Sequence, residues 1–428
     1  MAITPRRHTT HVARAVATCT VIWSTLVLAS PALAAEGQIL HIFGAKGDGD
    51  HATHGVVVDA AGKLYGTTTE GGKNDVGTVF QLTPPAIGQN QWTEAVLHHF
   101  GSSRADGETP RSVLRVLNGG QLQGTTTEGG RLGAGTLYEL RPPKPGQSAW
   151  TQKILNSFGN GSGSEGTFPE TTPVPLTADR TVRYGATLGG GSANDGLVYA
   201  LQGGVQTVLH EFNGDDGALP VNQLVADQAG NLYGMSFVGD RFGLGNIYRL
   251  SPNTLPGQPW SFQVLHTFTG GRDGRAPDNA LFIDDSGVLY GTTASGGDRL
   301  LGNIFRLMPP ALPGGEWTFE VLHSFGDAAK GQSPHSGLVP DGNGGFFGTA
   351  GAGGTSDCGL IYHFRPPVRA GADWTLKPLF SFAGGDGGGF PYGELALKDG
   401  VLYGTTYGSD SADGLPCNAA SVVFKLTL

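Results

Sequence analysis

Five acidic residues stand at one position of a recurring turn, Asp106-Gly107, Glu165-Gly166, Asp216-Gly217, Asp273-Gly274 and Asp386-Gly387, each with a proline close behind at Pro110, Pro169, Pro220, Pro277 and Pro391. In a sixth copy the slot reads Lys330-Gly331 before Pro334. A ring of such carboxylates would suit Ca²⁺ or a hydroxyl-rich ligand, because hard cations take several oxygen donors. The competing reading is that each acid caps its own turn while proline fixes the chain entering the next strand. Recurrence in nearly every copy favours the cap, since a site more often shows as a break in a pattern. Asp106, Asp216, Asp273 and Asp386 are therefore retained only as candidate ligand-binding residues. Asp240 and Arg241 join them, because they sit in a loop whose preceding strand ends in Met235-Ser236 where other copies have Thr-Thr.

Other repeated residues invite chemistry and have plainer explanations. His41, His98, His210, His266 and His323 share one strand position, replaced elsewhere by Asn156 and Phe380. Residues at equivalent positions of radiating units cannot converge on one ion, so a neutral imidazole bonded to a nearby Thr or backbone group is expected. Trp92, Trp150, Trp260, Trp317 and Trp374 recur at the start of one strand type. They are expected to pack between units, since a buried indole contributes a large apolar area. No G-x-S-x-G, H-E-x-x-H, phosphate-binding Gly-rich loop or Ca²⁺-loop signature is found, so no catalytic or metal-ligating residue is assigned.

These residues are carried by a repeat. Residues 288–307, VLYGTTASGGDRLLGNIFRL, combine a strand, a Gly-Gly break and a second strand. Counterparts of the motif glycine are Gly66, Gly124, Gly185, Gly234, Gly291, Gly348 and Gly404, spaced by 58, 61, 49, 57, 57 and 56 residues. A period near 50 with strand-type content predicts a β-propeller. Each copy holds four strand candidates: an aliphatic run, the Tyr-Gly-Thr-Thr strand, a Gly-(Thr/Asn)-aliphatic-aromatic strand, and a run ending in His-x-Phe. Asp-x-x-Gly between the first two, as at Asp59–Gly62 and Asp227–Gly230, reads as a tight hairpin turn. The chain opens with a lone fourth-type strand at 38–43 and stops just after a third-type strand at 421–426. Pairing the two predicts an all-β, seven-bladed propeller of four antiparallel strands per blade, closed by the amino-terminal strand.

Composition bounds the rest. Glycine is about 17 % of the 428 residues, against a usual level of roughly 7 %. The glycines fall at fixed points of the repeat, so they mark turns rather than disorder. Residues 1–34 carry Arg6, Arg7 and Arg14, an apolar run and Ala32-Leu33-Ala34, the pattern of a secretory signal peptide. The remaining 35–428 are expected to form one propeller domain. Without the signal, 24 Lys+Arg face 36 Asp+Glu, which disfavours nucleic acid or an anionic membrane as partner. Cys358 and Cys417 lie in equivalent loops of neighbouring blades, and in an exported chain such a pair is expected to form a disulfide.

The pattern LYGTT…GG…G(T/N)(V/I)F.L…W…VLH.F resembles the Gloeo/Verruco, or GloVer, tandem repeats of exported bacterial proteins, over essentially all of 38–428. A looser likeness is to kelch repeats. The resemblance implies export and repeat architecture and no defined activity. The expectation is a periplasmic or extracellular monomer that binds a glycan or protein ligand on its loop-rich face, without cofactor unless Ca²⁺. The alternative is a lyase or hydrolase acting on an extracellular polysaccharide or other polymer. An enzyme should show close, non-repeated titratable residues with shifted pKa values in the channel mouth. A binding module should show an exposed aromatic or polar patch.

Overall fold

The computed structural model describes residues 36–159, 164–176, 181–239, 243–253, 255, 258–277, 279–312, 314–369, 371–409 and 417–428. Asp240 and Arg241 lie outside them. The architecture is all-β, seven blades of antiparallel strands arranged as a propeller, and residues 35–428 form one compact unit. Blade 4 shows the plan, with strands Ala218–Ala226, Leu232–Val238, Asn246–Ser251 and Ser261–Thr267 paired in sequence order. In blade 3 the innermost strand is reduced to a single bridge between Val174 and Tyr184. Blade 7 is completed as expected: Glu36–Ile42 pairs with Val422–Thr427, Ile39 opposite Phe424 and Ile42 opposite Val422.

The motif glycine has one physical reason in all seven blades. Directly across the second and third strands, Gly66 faces Phe80, Gly124 Tyr138, Gly185 Tyr199, Gly234 Tyr248, Gly291 Phe305, Gly348 Tyr362 and Gly404 Phe424. The aromatic ring lies over the glycine, and a Cβ there would come within 2.4–2.7 Å of it. None of these glycines has a positive φ. Close approach, rather than backbone freedom, excludes a side chain.

The same rings join the blades. The Phe that follows the outer strand packs on the third-strand aromatic of the next blade. The pairs are Phe100–Tyr138, Phe158–Tyr199, Phe212–Tyr248, Phe268–Phe305, Phe325–Tyr362 and Phe382–Phe424. Phe43 on Phe80, 5.0 Å between centroids, closes the circle. The core therefore sits between blades. One cluster, for example, unites Tyr233, Met235, Ile247 and Phe268 of blade 4 with Leu281, Leu289, Phe305 and Leu307 of blade 5. Tryptophan reinforces these seams from the rim: Trp92 meets Tyr403 of blade 7, Trp260 meets Tyr184 of blade 3, and Trp317 meets Tyr233 of blade 4.

Cys358 and Cys417 form a disulfide with Cα atoms 5.6 Å apart, tying blade 6 to blade 7 beside the closing seam. No helix among the described residues is long and apolar enough to cross a membrane.

Two outcomes are expected. Gly234→Ala forces a methyl into the Tyr248 ring and should lower stability by about 1–3 kcal/mol, read as a fall in the unfolding midpoint. Gly271→Ala, where φ is not positive and a Cβ would meet only the Thr269 hydroxyl at an ordinary 3.5 Å, serves as the comparison. Non-reducing peptide mapping should recover the Cys358–Cys417 linkage, and C358S/C417S should lose about 2–4 kcal/mol. Free thiols in the native protein would contradict this.

Candidate functional site

Each linker from an outer strand to the next inner strand crosses from rim to axis, and three local devices fix its path. The acid of the turn is held by its own loop and by the preceding outer strand. Asp106 accepts from the Ser102 amide (3.0 Å) and hydroxyl (2.8 Å), from Gln152 (2.9 Å) and from His98 (3.3 Å). Burial works to raise the Asp106 pKa, but the hydrogen bonds from His98, Gln152 and Ser102 outweigh it and hold the carboxyl at about 2. His41 bonds Asp48 at 2.9 Å. His210–Asp216 and His266–Asp273 stand at ion-pair distances of 3.0 and 3.3 Å, without the ring nitrogen aligned for a hydrogen bond. Four of the five imidazoles thus answer the acid of the next turn, not the Thr or backbone group expected from the sequence; His323 faces Lys330 instead, and burial and then that charge lower its pKa. Where Asn156 or Phe380 replaces His, the latch is missing, and Asp386 is exposed.

The second device is the proline. It packs on the glycine that opens the third strand of the preceding blade, where a Cβ would lie 2.5–2.7 Å from the Pro110, Pro169, Pro220, Pro277, Pro334 or Pro391 ring. The third is backbone strain. The residue before each proline, namely Thr109, Phe168, Leu219, Ala276, Ser333 and Phe390, adopts φ between 52° and 59°, and His51 does so at the matching point of blade 1. Non-glycine residues rarely adopt this left-handed conformation. Here it recurs at seven places and swings the chain toward the axis.

The residue after the proline is delivered to the mouth of the central channel. Among the described residues that position is occupied by Thr53, Arg111, Glu170, Val221, His335 and Tyr392, six different residue types, and in the sequence the remaining copy has Asp278, which lies outside the described residues. One residue further on, Ser112 and Ser336 accept the backbone amides of Thr125 and Thr349 at 2.9 Å, tying the linker to the second strand. The mouth opens into a cavity of about 610 Å³ lined by residues of every blade. A second variable column, the residue after Tyr-Gly-Thr-Thr, adds Leu188, Phe237 and Tyr407 to its wall.

One side of the cavity is aromatic. His335 and Tyr392 lie 4.6 Å apart between centroids, Tyr392 and Tyr407 stack at 5.9 Å, and His51 stands 4.5 Å from Tyr407. Gly351 leaves room for this wall, since a Cβ there would strike both Tyr392 and His335. Elsewhere on the rim Arg111 reaches across from blade 2 to blade 3 and donates to Glu170 at 3.2 Å. His54, in contact with the Thr53 hydroxyl, is kept neutral: burial and then the Arg111 charge depress its pKa to about 3. Glu170 is pushed upward by burial, against the pull of Arg111. Glu394 is pushed upward by burial.

The structure brings these groups together and leaves the repeated acids apart. Asp106, Asp216 and Asp273 each serve the latch of a separate blade, and none of them, nor Asp386, lines the cavity. Among the described residues, no group of three or more His, Cys, Asp or Glu side chains is arranged to hold a metal ion. The signal for the mouth was present in the sequence only as a column beside a recurrent proline that does not repeat.

A family model described as the Gloeobacter/Verrucomicrobia repeat matches residues 30–224 and 170–415. No curated protein matches the chain in sequence. Among solved structures, a puromycin-hydrolyzing peptidase of Mycobacterium tuberculosis is 13 % identical with a TM-score of 0.52, over 87 % of this chain and 50 % of the other. The extracellular domain of a candidate one-component system from B. thetaiotaomicron is 12 % identical with a TM-score of 0.50, over 92 % and 41 %. A candidate gluconolactonase is 16 % identical with a TM-score of 0.42, over 82 % and 95 %. At 13 and 12 % identity the first two likenesses speak for the fold alone.

The shifts at His54 and Glu394 have opposite consequences. A base whose folded pKa is depressed leaves the unfolded chain to take up the proton first, so its contribution to stability is lost as pH falls below about 6.5. An acid whose folded pKa is raised contributes most at low pH and loses that contribution as pH rises through its folded pKa. On going from pH 7.5 to pH 5, the unfolding midpoint of the wild type should therefore fall relative to His54→Asn. On going from pH 4 to pH 7.5 it should fall relative to Glu394→Gln. Thermal unfolding across that range checks both signs.

Proposed function

The chain belongs to the Gloeobacter/Verrucomicrobia repeat family, and we propose that it is an exported binding protein whose ligand site is the mouth of the propeller channel. The observation that carries this reading is the concentration of non-repeating side chains there, on a frame that repeats everywhere else. The ligand class that suits it is a glycan end-group. Aromatic faces such as Tyr392 and Tyr407 stack on the apolar face of a sugar ring, while Asn222, Arg111 and Glu170 offer polar groups for its hydroxyls. A cavity of about 610 Å³ is within the range that encloses a small ligand. Export accords with the amino-terminal signal pattern and with the disulfide.

A hydrolase or lyase at the same place is the second reading. It is favoured by two carboxyls whose pKa values are raised by burial, Glu170 and Glu394, in one cavity. Such environments are what acid and base groups need near neutral pH.

One experiment separates the two. Thermal unfolding is followed against a panel of polysaccharide fragments, with and without Ca²⁺, and each ligand that raises the midpoint is examined for new reducing or unsaturated ends. Binding with intact ligand is expected, because a ligand of the native state stabilises by mass action. Tyr392→Ala and Tyr407→Ala should each weaken it about tenfold or more, whereas Asp106→Asn should leave the affinity in place. Cleaved ligand would establish the enzyme instead. A flat panel would overturn the glycan reading.

A further inference from the structure

Resting on the mouth as the ligand site, we infer that the bound group carries a protonated amine and that Glu394 selects it. The residue sits two places beyond Tyr392 and lines the same cavity. At the matching position the other blades carry Gly55, Val113, Thr172, Gln223, Ala280 and Gly337, so Glu394 is the one ionisable group of that ring. Its neighbours on both sides are glycines. The backbone of Glu394 lies against Gly55 of blade 1, where a Cβ would come within 2.2 Å of its carbonyl, and Oε1 lies 3.6 Å from the Cβ position of Gly337 in blade 6. Blade 1 thus fits against the backbone of Glu394, blade 6 meets its carboxyl at ordinary contact distance, and neither flanking position supplies a cation.

The charges around the cavity point the same way. Among its described lining residues Arg111 is the only Lys or Arg, and Glu170 already meets it at 3.2 Å. His54 is neutral, with Arg111 beside it. His335 faces Tyr392, and position 278, also an acid, lies outside the described residues. With the Arg111–Glu170 pair cancelling, Glu394 is the remaining acid of the described lining, and its burial means that its ionised form lacks a counter-charge. An anionic ligand would meet that carboxylate and the electron-rich faces of Tyr392 and Tyr407, both unfavourable. A neutral sugar would stack on the tyrosines but leave the carboxyl in a confined, protein-walled space without a counter-charge. An ammonium group satisfies both elements at once: it neutralises the carboxylate and is attracted to the aromatic faces. An amino sugar, with a ring to stack and an amine to reach into the throat, fits the whole mouth.

The test uses matched sugars that differ in this one group. Isothermal titration at pH 7.5 compares glucosamine with N-acetylglucosamine and glucose on the wild-type protein, Glu394→Gln and Glu394→Asp. Glucosamine is expected to bind at least tenfold more tightly than either neutral sugar. That ratio should fall to within about twofold in E394Q and be partly kept in E394D, with circular dichroism confirming that both variants fold. Equal affinities, a preference for a neutral sugar, an amine preference that survives in E394Q, or no binding of any of the three would overturn the inference. Neutral-sugar binding that still depends on Tyr392 would leave the mouth as a ligand site and remove only the amine. Loss of all binding together with a flat polysaccharide panel would remove both.

Discussion

Seven aromatic rings laid over seven glycines hold this molecule together. Each ring does two things. Inside its blade it covers a bare stretch of the neighbouring strand, and across the seam it receives the edge of the preceding blade's phenylalanine. Fully burying one such ring is worth about 2 kcal/mol, and the count is seven within blades and seven between them. No blade can bury its own faces, so the stabilisation is complete only when the circle is. That is why the first strand of the chain is used in the last blade, and why Phe43 must reach Phe80.

A closed circle built this way leaves little freedom for chemistry within the sheets. Some of the buried hydroxyls there are used by the frame: Thr68 bonds Thr78 at 2.8 Å and Thr126 bonds Thr136 at 2.9 Å across the second and third strands, whereas the hydroxyls of Tyr138, Tyr199, Tyr248 and Tyr362 are buried without a partner. Four of the five repeated histidines and their acids serve the frame too, as latches between an outer strand and the turn that leaves it. Variation is tolerated where the chain has been turned by the left-handed residue and anchored by the proline, because there a side chain faces the channel and meets across the seam only other non-repeating side chains, as Arg111 meets Glu170 and His335 meets Tyr392. The frame fixes the backbone at the mouth, and the side chains at that point are left to differ.

The mouth gains its electrostatic character from that geometry. Three blades supply the aromatic wall, two supply the Arg111–Glu170 pair, and Glu394 stands between glycines of its neighbours. Burial raises both carboxyls and lowers His54, since a charge taken from water into a protein-walled space loses hydration that only a partner restores. A channel at the axis of a propeller gathers such groups from distant parts of the sequence, here from Thr53 to Tyr407.

The repeat, its strand order, the number of blades, the closure by residues 38–43 and the cysteine pairing were all legible in the sequence. Each follows from local periodicity, from counting, or from equivalent positions in neighbouring repeats. The packing role of Trp260 and Trp317 was legible for the same reason. The histidine latch was not, because its partner lies in the linker to the next blade, and periodicity gives a residue's face without giving what faces it. The mouth was legible as a varying column and not as a site. Thr53, Arg111, Glu170, Val221, His335 and Tyr392 share no residue type and stand about one repeat or more apart, so nothing in the chain says that they meet. A sequence determines what each blade must bury, because that depends on near neighbours and repeats with them. Which unlike side chains meet at the axis is decided only when seven blades close into a ring, since the distances between them are set by the curvature of the whole circle.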